Sequence, residues 1–369
     1  MRPLLAAALL SLPLLAQAAP PQAGGQAPGW YRMKLGSFEV TSLYDGFFRL
    51  PVDKLLQTDD PTLVARRLQH HYLGLPLETS VNAFLVHTGE KLVLIDTGHA
   101  GQGGEATGRV LAHLKASGYS PEQVDEVYIT HFHGDHLNGL VDKDGKPAYP
   151  NAVVRADQRE SGFWLSDPAQ APQAARGGMA NAQRVLKPYL DAGRFKPFDG
   201  ATELVKGVRA VPAYGHTPGH SIYVVESGAD KMVLWGDLMH VAAVQFAHPE
   251  VTIAFDSDPK SARPQREGQY KAAAEGGYYV GVHARELPGH RQAARRRQGL
   301  RMDSGELPAT VNIELREITA ETVIAIIKLQ VAPAQQGLWR PTRSRSRRPC
   351  STPRPGTAPS TWMANRPAS

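Results

Sequence analysis

The chain has 369 residues, 42% of them hydrophobic and 21% charged, which is enough apolar material for a large core and too much for a disordered polypeptide. A single cysteine, Cys350, excludes an internal disulfide framework, so stability must come from packing and from any bound metal. The net charge of +6 is unevenly placed: from Gly281 onward there are 15 Lys/Arg against 6 Asp/Glu, while the preceding body is mildly acidic, which argues against a nucleic-acid footprint on the folded part.

In chain order, residues 1–19 read as a secretory signal peptide. An apolar run from Leu4 to Leu15 follows Arg2 and ends in Ala16-Gln17-Ala18-Ala19, too short and too broken by Pro13 for a spanning helix. Residues 20–29, rich in Pro, Gly and Gln, read as a flexible leader, and the folded domain is expected over 30–290. Apolar runs at 81–87 and 91–96, split by Thr88-Gly89-Glu90, predict a strand hairpin that delivers Asp96. Val110, Leu111 and Leu114 fall at helical spacing, with Gly118 as the stop. Ser120 and Gln123 form a capping box ahead of a short strand at 127–129 that runs into His131. Further strands are expected at 152–155, 208–213, 222–226, 232–235 and 278–282, with a helix over 178–192, and no Rossmann glycine signature interrupts the alternation. From about residue 285 the patterning weakens and arginines cluster. Residues 291–369 read as an atypical, basic and largely disordered region, with almost no aliphatic side chains after 340.

The segment His131-Phe132-His133-Gly134-Asp135-His136 places three imidazoles and a carboxylate in six positions at the end of a strand. Packing has no use for that density of polar groups. In extended chain His131 and His133 point to one side, and a turn at Gly134 can bring Asp135 and His136 to a second point nearby. Imidazole and carboxylate together suit Zn²⁺ or a similar divalent ion, and the spacing suits two adjacent ones. The bland alternative is a histidine-rich surface loop.

These residues match the H-x-H-x-D-H signature of the metallo-β-lactamase superfamily, which the chain resembles over roughly 35–290. Gly215-His216-Thr217-Pro218-Gly219-His220 is similar to that family's G-H-T-x-G-H turn, Gly236-Asp237 to its bridging aspartate, and His283 after Tyr278–Val282 to its final histidine. The resemblance implies an αβ/βα sandwich of two mixed sheets flanked by helices. It implies that His131, His133 and His216 hold a first ion, and that Asp135, His136 and His283 hold a second, with Asp237 bridging. Asp135 and Asp237 are then also the candidate catalytic carboxylates. Asp96, in Leu94-Ile95-Asp96-Thr97-Gly98, corresponds to a buried aspartate that orients the metal loop. His220 is expected to hydrogen-bond behind the ligands; His99, His240 and His248 are expected behind the ligands or on the pocket wall. Within the superfamily the chain resembles methyl parathion hydrolase, through 224–227, 236–238, 241–246 and, less closely, 252–258. Phe163-Trp164 is similar to that family's aromatic wall, but glycine-rich stretches at 101–104 and 176–179 depart from its pattern.

The expected chemistry is hydrolysis of small neutral esters, lactones or organophosphate triesters, by a hydroxide shared between two divalent ions, zinc expected, about 3.5–4 Å apart. A β-lactamase is the rival within enzymes. A dioxygen-reducing relative carries a carboxylate where this chain has His133, so redox chemistry is disfavoured. Outside enzymes the rivals are nucleic-acid binding through the Arg/Ser tail and an inactive product of a damaged gene. The reading places the protein in the periplasm or outside the cell, with a small-molecule substrate, no membrane contact after signal cleavage, and a homodimer left open. The likeness ends abruptly near Arg285. Met302-Asp303 is encoded by ATG-GA whatever the codon choice, so a frame displaced by one base reads TGG, tryptophan, there. The abrupt end of the likeness and the change in composition make a shift of reading frame shortly after His283 the expected origin of the atypical region, with a genuine, divergent extension as the alternative.

Overall fold

Two short apolar runs with both faces buried decide how the layers stack. The computed structural model describes residues 28–283 except 103 and 105, together with the backbone of strands 290–296 and 299–303. The expected signal peptide, nearly all of the leader and the region beyond 303, with its displaced frame, lie outside the described residues.

The chain opens with an antiparallel hairpin, β1 (Trp30–Leu35) and β2 (Phe38–Leu50), which the sequence reading left unassigned. After α1 (Val52–Leu55), β3 (Leu56–Gln57) and α2 (Leu63–His70) come β4 (Leu77–His87) and β5 (Leu92–Ile95), the predicted hairpin with its first strand begun four residues earlier. Next are α3 (Val110–Ala116), β6 (Glu126–Tyr128), α4 (Gly134–Leu137), β7 (Val153–Arg155), α5 (Gln158–Trp164) and α6 (Gln173–Asp191). The capping box of Ser120 and Gln123 is present in both directions. The second half holds β8 (Thr202–Val205), β9 (Val208–Pro212), β10 (Ser221–Ser227), β11 (Asp230–Leu234), α7 (Ala242–Gln245), β12 (Thr252–Ile253), α8 (Pro259–Gly276) and β13 (Tyr279–Gly281). The backbones of β14 (His290–Arg296) and β15 (Gly299–Asp303) continue the sheet past the boundary expected at 290.

One sheet runs β1-β2-β4-β5-β6-β7 and the other β15-β14-β13-β11-β10-β9-β8, with β3 and β12 forming a separate small ribbon. Pairing is parallel for β5 with β6, β6 with β7 and β11 with β13, and antiparallel elsewhere. In β4 and β5 every second residue faces the same way. Ala83, Leu85, Leu92 and Leu94 pack with α3 and α6 on the outer side. Phe84, Val86, Val93 and Ile95 pack inward against Tyr223, Val225, Met232 and Leu234 of the second sheet. The second sheet's outer face, Val224, Val233 and Val280, is covered by Tyr270 and Ala273 of α8. This is the expected αβ/βα sandwich. The continuous apolar runs that made β4 and β5 legible are what burial on both faces demands.

Strands β5, β6, β11 and β13 end on the same side, and their C-terminal ends deliver Asp96, His131, Asp237 and His283 respectively. Among the described residues, no helix is long and apolar enough to cross a membrane.

Candidate metal centre

The centre rests on Asp96, the residue after β5, which adopts a left-handed backbone (φ 58°) uncommon for a residue other than glycine. Its Oδ1 accepts from the backbone N–H of Thr130 at 2.8 Å, and its Oδ2 accepts from the Thr130 hydroxyl at 2.9 Å and from Nδ1 of His136 at 2.8 Å. Asp96 thereby fixes the mouth of the metal loop and turns Nε2 of His136 toward the cluster, an orienting role that leaves His136 free to bind through the other nitrogen.

All seven sequence-predicted ligands converge in two groups. In the first, Nε2 of His131 lies 3.0 Å from Nδ1 of His133, which is 3.1 Å from Nε2 of His216. Oδ2 of Asp237 stands 3.8 Å from His131 Nε2 and 3.5 Å from His216 Nε2. In the second, His136 Nε2 is 3.2 Å from the other oxygen of Asp237 and 3.7 Å from Asp135 Oδ2, which is 3.5 Å from His283 Nε2. Asp237 therefore offers one oxygen to each group, as a bridge must.

Electrostatics support a pair of cations. Burial holds His131 well below the usual imidazole range, and burial with the neighbouring His216 takes His133 down to about 3, so both present lone pairs. Nδ1 of His133 lies within 3.1 Å of a ring nitrogen of each of the other two histidines, and a cation between them satisfies all three. Burial works against charge on His136, but Asp237, Asp96 and Asp135 together raise it well above the ordinary value: three carboxylates surround one ring. Nε2 of His136, Oδ1 of Asp237 and both nitrogens of His283 are buried without a hydrogen-bond partner. The donor set fits two divalent ions, one per group. Asp96, His136 and His283 also lie close enough to form a donor group, but Asp96 is already saturated by Thr130 and His136, so it orients rather than ligates.

The remaining histidines separate cleanly. His220 donates from Nδ1 to the Ala213 carbonyl and accepts at Nε2 from the Asp237 N–H, leaving neither nitrogen for an ion. His240 contacts Asp237 Oδ2 at 3.1 Å and lines the cavity, and His99 lines it too, edge-on to Phe48. His248 departs from expectation: it pairs with Glu250 two residues on, away from the cavity. Trp164 sets its edge against His133 at 5.6 Å and is buried, backing a ligand rather than lining the cavity; Phe163 packs on the helical core.

Several residues in supporting roles escaped the sequence reading. Asp256 is buried, accepts from Nδ1 of His216 at 2.9 Å, and faces the guanidinium of Arg266 at 3.6 Å. Arg266 also donates to the carbonyls of Leu238, Pro249 and Val251, fastening the segment that follows Asp237. Asn82 on β4 donates to the carbonyl of His283 at 2.8 Å. Asp45 on β2 accepts from His99 and Val110, anchoring the loop past Asp96. Glu160 on α5 is wholly buried, and burial pushes its carboxyl up to about 7 against the hydrogen bonds it accepts. Asp256 lies in the 252–258 stretch that carries part of the family likeness, which assigns it no role; a glutamate beside an arginine in a short helix carries no signal at all.

Beside the ligands opens a cavity of about 350 Å³, walled by Phe48, Leu50, Val81 and Phe255 and floored by His133, Asp135, Asp237, His240 and His283.

The model of the metallo-beta-lactamase superfamily matches residues 77–281, more than half of the chain. The chain belongs to that superfamily. Over 181 residues it is 28% identical to a probable metallo-hydrolase of Mycobacterium tuberculosis, covering 43% of this chain and 56% of that one. The chain thus matches little more than half the length of that curated relative. Among solved structures it is similar to the hydrolase AbOPH of the beta-lactamase superfamily, with TM-score 0.71, 32% identity and coverage of 79% of this chain and all of the other. It is also similar to AidC, a dizinc quorum-quenching lactonase in complex with a product, N-hexanoyl-L-homoserine, with TM-score 0.69, 25% identity and coverage of 76% and 99%.

Proposed function

We propose that the protein is a metal-dependent hydrolase of small neutral esters, lactones foremost, working on two divalent ions with zinc as the first candidate. The observation that carries this reading is the union of two donor groups, bridged by Asp237, with a cavity whose walls are apolar. Bound there, two divalent ions supply Lewis acidity and a water acidic enough to attack at neutral pH. His131, His133 and His216 would hold one ion and Asp135, His136 and His283 the other. Asp256 fixes the tautomer of His216 and Asp96 that of His136, so both ligands are set before substrate arrives. Phe48, Leu50, Val81 and Phe255 receive an apolar acyl or alkyl part and exclude water from the reacting bond. The side chain of Asp135 is a quarter exposed. His136, against the opposing effect of burial, holds its carboxyl below the usual range, so it stands ionised, as a ligand to a divalent ion must.

Lactones come first because the lactonase in the comparison shares both fold and metal-binding character with this chain. The described cavity lining contains no Lys or Arg, which weighs against a β-lactam carboxylate and leaves neutral phosphotriesters as the second substrate class. We further read the protein as exported, on residues 1–19 alone. The test is purified full-length protein assayed on an acyl lactone, an aryl phosphotriester and a cephalosporin, with metal analysis. Turnover led by the lactone, lost on chelation, is expected. Full activity in metal-free protein, or a preference for the cephalosporin, would overturn the proposal.

A further inference from the structure

Glu160 is a fully buried carboxylate near the centre that none of the steps above employs. Its Oε1 accepts from the backbone N–H of Phe132, which lies between His131 and His133, at 2.8 Å. Its Oε2 accepts from the N–H of Gly219, in the turn that carries His216, also at 2.8 Å. One side chain therefore grips the backbones of both loops that supply the three imidazoles of the first group. Close approach is built in: a Cβ on Gly219 would stand 2.2 Å from the backbone nitrogen of Glu160, so only glycine lets the turn come this near.

The helix that presents Glu160 is itself fastened to the same turn. Asp157 caps α5 by accepting from the Arg159 N–H, and its other oxygen accepts from the hydroxyl of Tyr214, the residue before Gly215. One turn beyond Glu160, Trp164 backs the ring of His133. The second group is oriented by different residues, Asp96 on His136 and Asn82 on the His283 carbonyl.

We propose that Glu160 is a positioning residue for the first metal site, setting the separation of the two loops and hence the affinity of that site apart from the second. The carboxylate is suited to this because it accepts two N–H bonds at once, which a neutral side chain of the same size does not. In Glu160→Gln the shape is kept, but an amide NH₂ faces one of the two backbone donors and the grip on one loop is lost.

The test is the full-length chain carrying E160Q, titrated with Co²⁺ in competition with a chromogenic chelator, with bound metal counted after dialysis and the metal-free protein melted alongside. Affinity for one ion should fall roughly 10–100-fold, leaving about one ion per chain, and the cobalt absorption of the nitrogen-rich site should be lost first. Should E160Q not fold, Glu160→Asp, which keeps the charge but loses reach, is read in the same way. Two ions held at wild-type affinity, even in a chain that melts lower, would make Glu160 a packing residue and overturn the proposal. So would equal loss of both ions.

Discussion

The ligand cluster and the cavity wall sit side by side and are built in opposite ways. Four of the seven proposed ligands come from one six-residue segment, and each of the two sets is held by buried hydrogen-bonded partners: Asp96, Asp256, Glu160 and Asn82. The wall is assembled from β2, β4 and the loop after β12, and Phe255 is 41% exposed. Chemistry at the centre depends on fixed donor geometry, whereas the wall depends on apolar area alone. The first is therefore intolerant of single changes and the second graded.

That contrast can be broken or sharpened in steps. The largest effect should follow removal of the ions: dialysis against a chelator should abolish turnover, and Zn²⁺ or Mn²⁺ should restore it. Differential scanning should show a lower Tm for the stripped chain, since an ion at 100 times its Kd adds about 2.7 kcal/mol. Next, Asp237→Asn should cost kcat more than the roughly 10–100-fold expected when an outer partner is lost, because both proposed ions would share that carboxylate. His220→Ala, assayed in parallel, should remain within that range, and equal losses would show that bridge and backing residue are not distinct. Asp256→Asn should fall between them, weakening metal binding through His216 while leaving KM for substrate nearly unchanged. The smallest effect belongs to the wall. Phe255→Ala should raise KM for long-chain lactones five- to thirtyfold, about 1–2 kcal/mol of lost apolar contact, with metal content intact. A drop in bound metal in that variant would show that the wall also supports the centre.

The same contrast explains what could be read from sequence. His131 to His136 announce themselves because no core asks for three imidazoles in six residues, and β4 and β5 because burial on both faces requires unbroken apolar runs. The hairpin β1–β2 was not legible: its strand residues mix Arg, Lys, Glu and Asp with apolar ones, and Asp45 is buried by contacts formed more than fifty residues away. Helix α8 hid behind Pro259 and Pro264, the first tolerated at the helix start and the second inside it. The orienting residues Asp256, Glu160 and Asn82 are single polar side chains whose meaning depends on partners 40, 28 and 201 residues distant. Phe48, Leu50 and Phe255 look like ordinary core residues until the fold leaves them facing a cavity. His248 misled through proximity: it lies eleven positions after Asp237, but its ring pairs with Glu250.

Strand β5 has a kinetic consequence. Its four residues, Leu92–Ile95, are buried on both faces between β4 and β6, and the N–H of Asp96 extends the ladder to the Tyr128 carbonyl. Amides so placed exchange with solvent when the whole domain opens. The carboxylate that orients His136 is thus carried by a segment expected to open only with the domain, whereas His133 and Asp135 lie on a loop that lines the cavity. Release of an ion to a chelator should accordingly run far ahead of deuterium uptake at residues 93–96; matching rates would mean that the centre comes apart only with the domain.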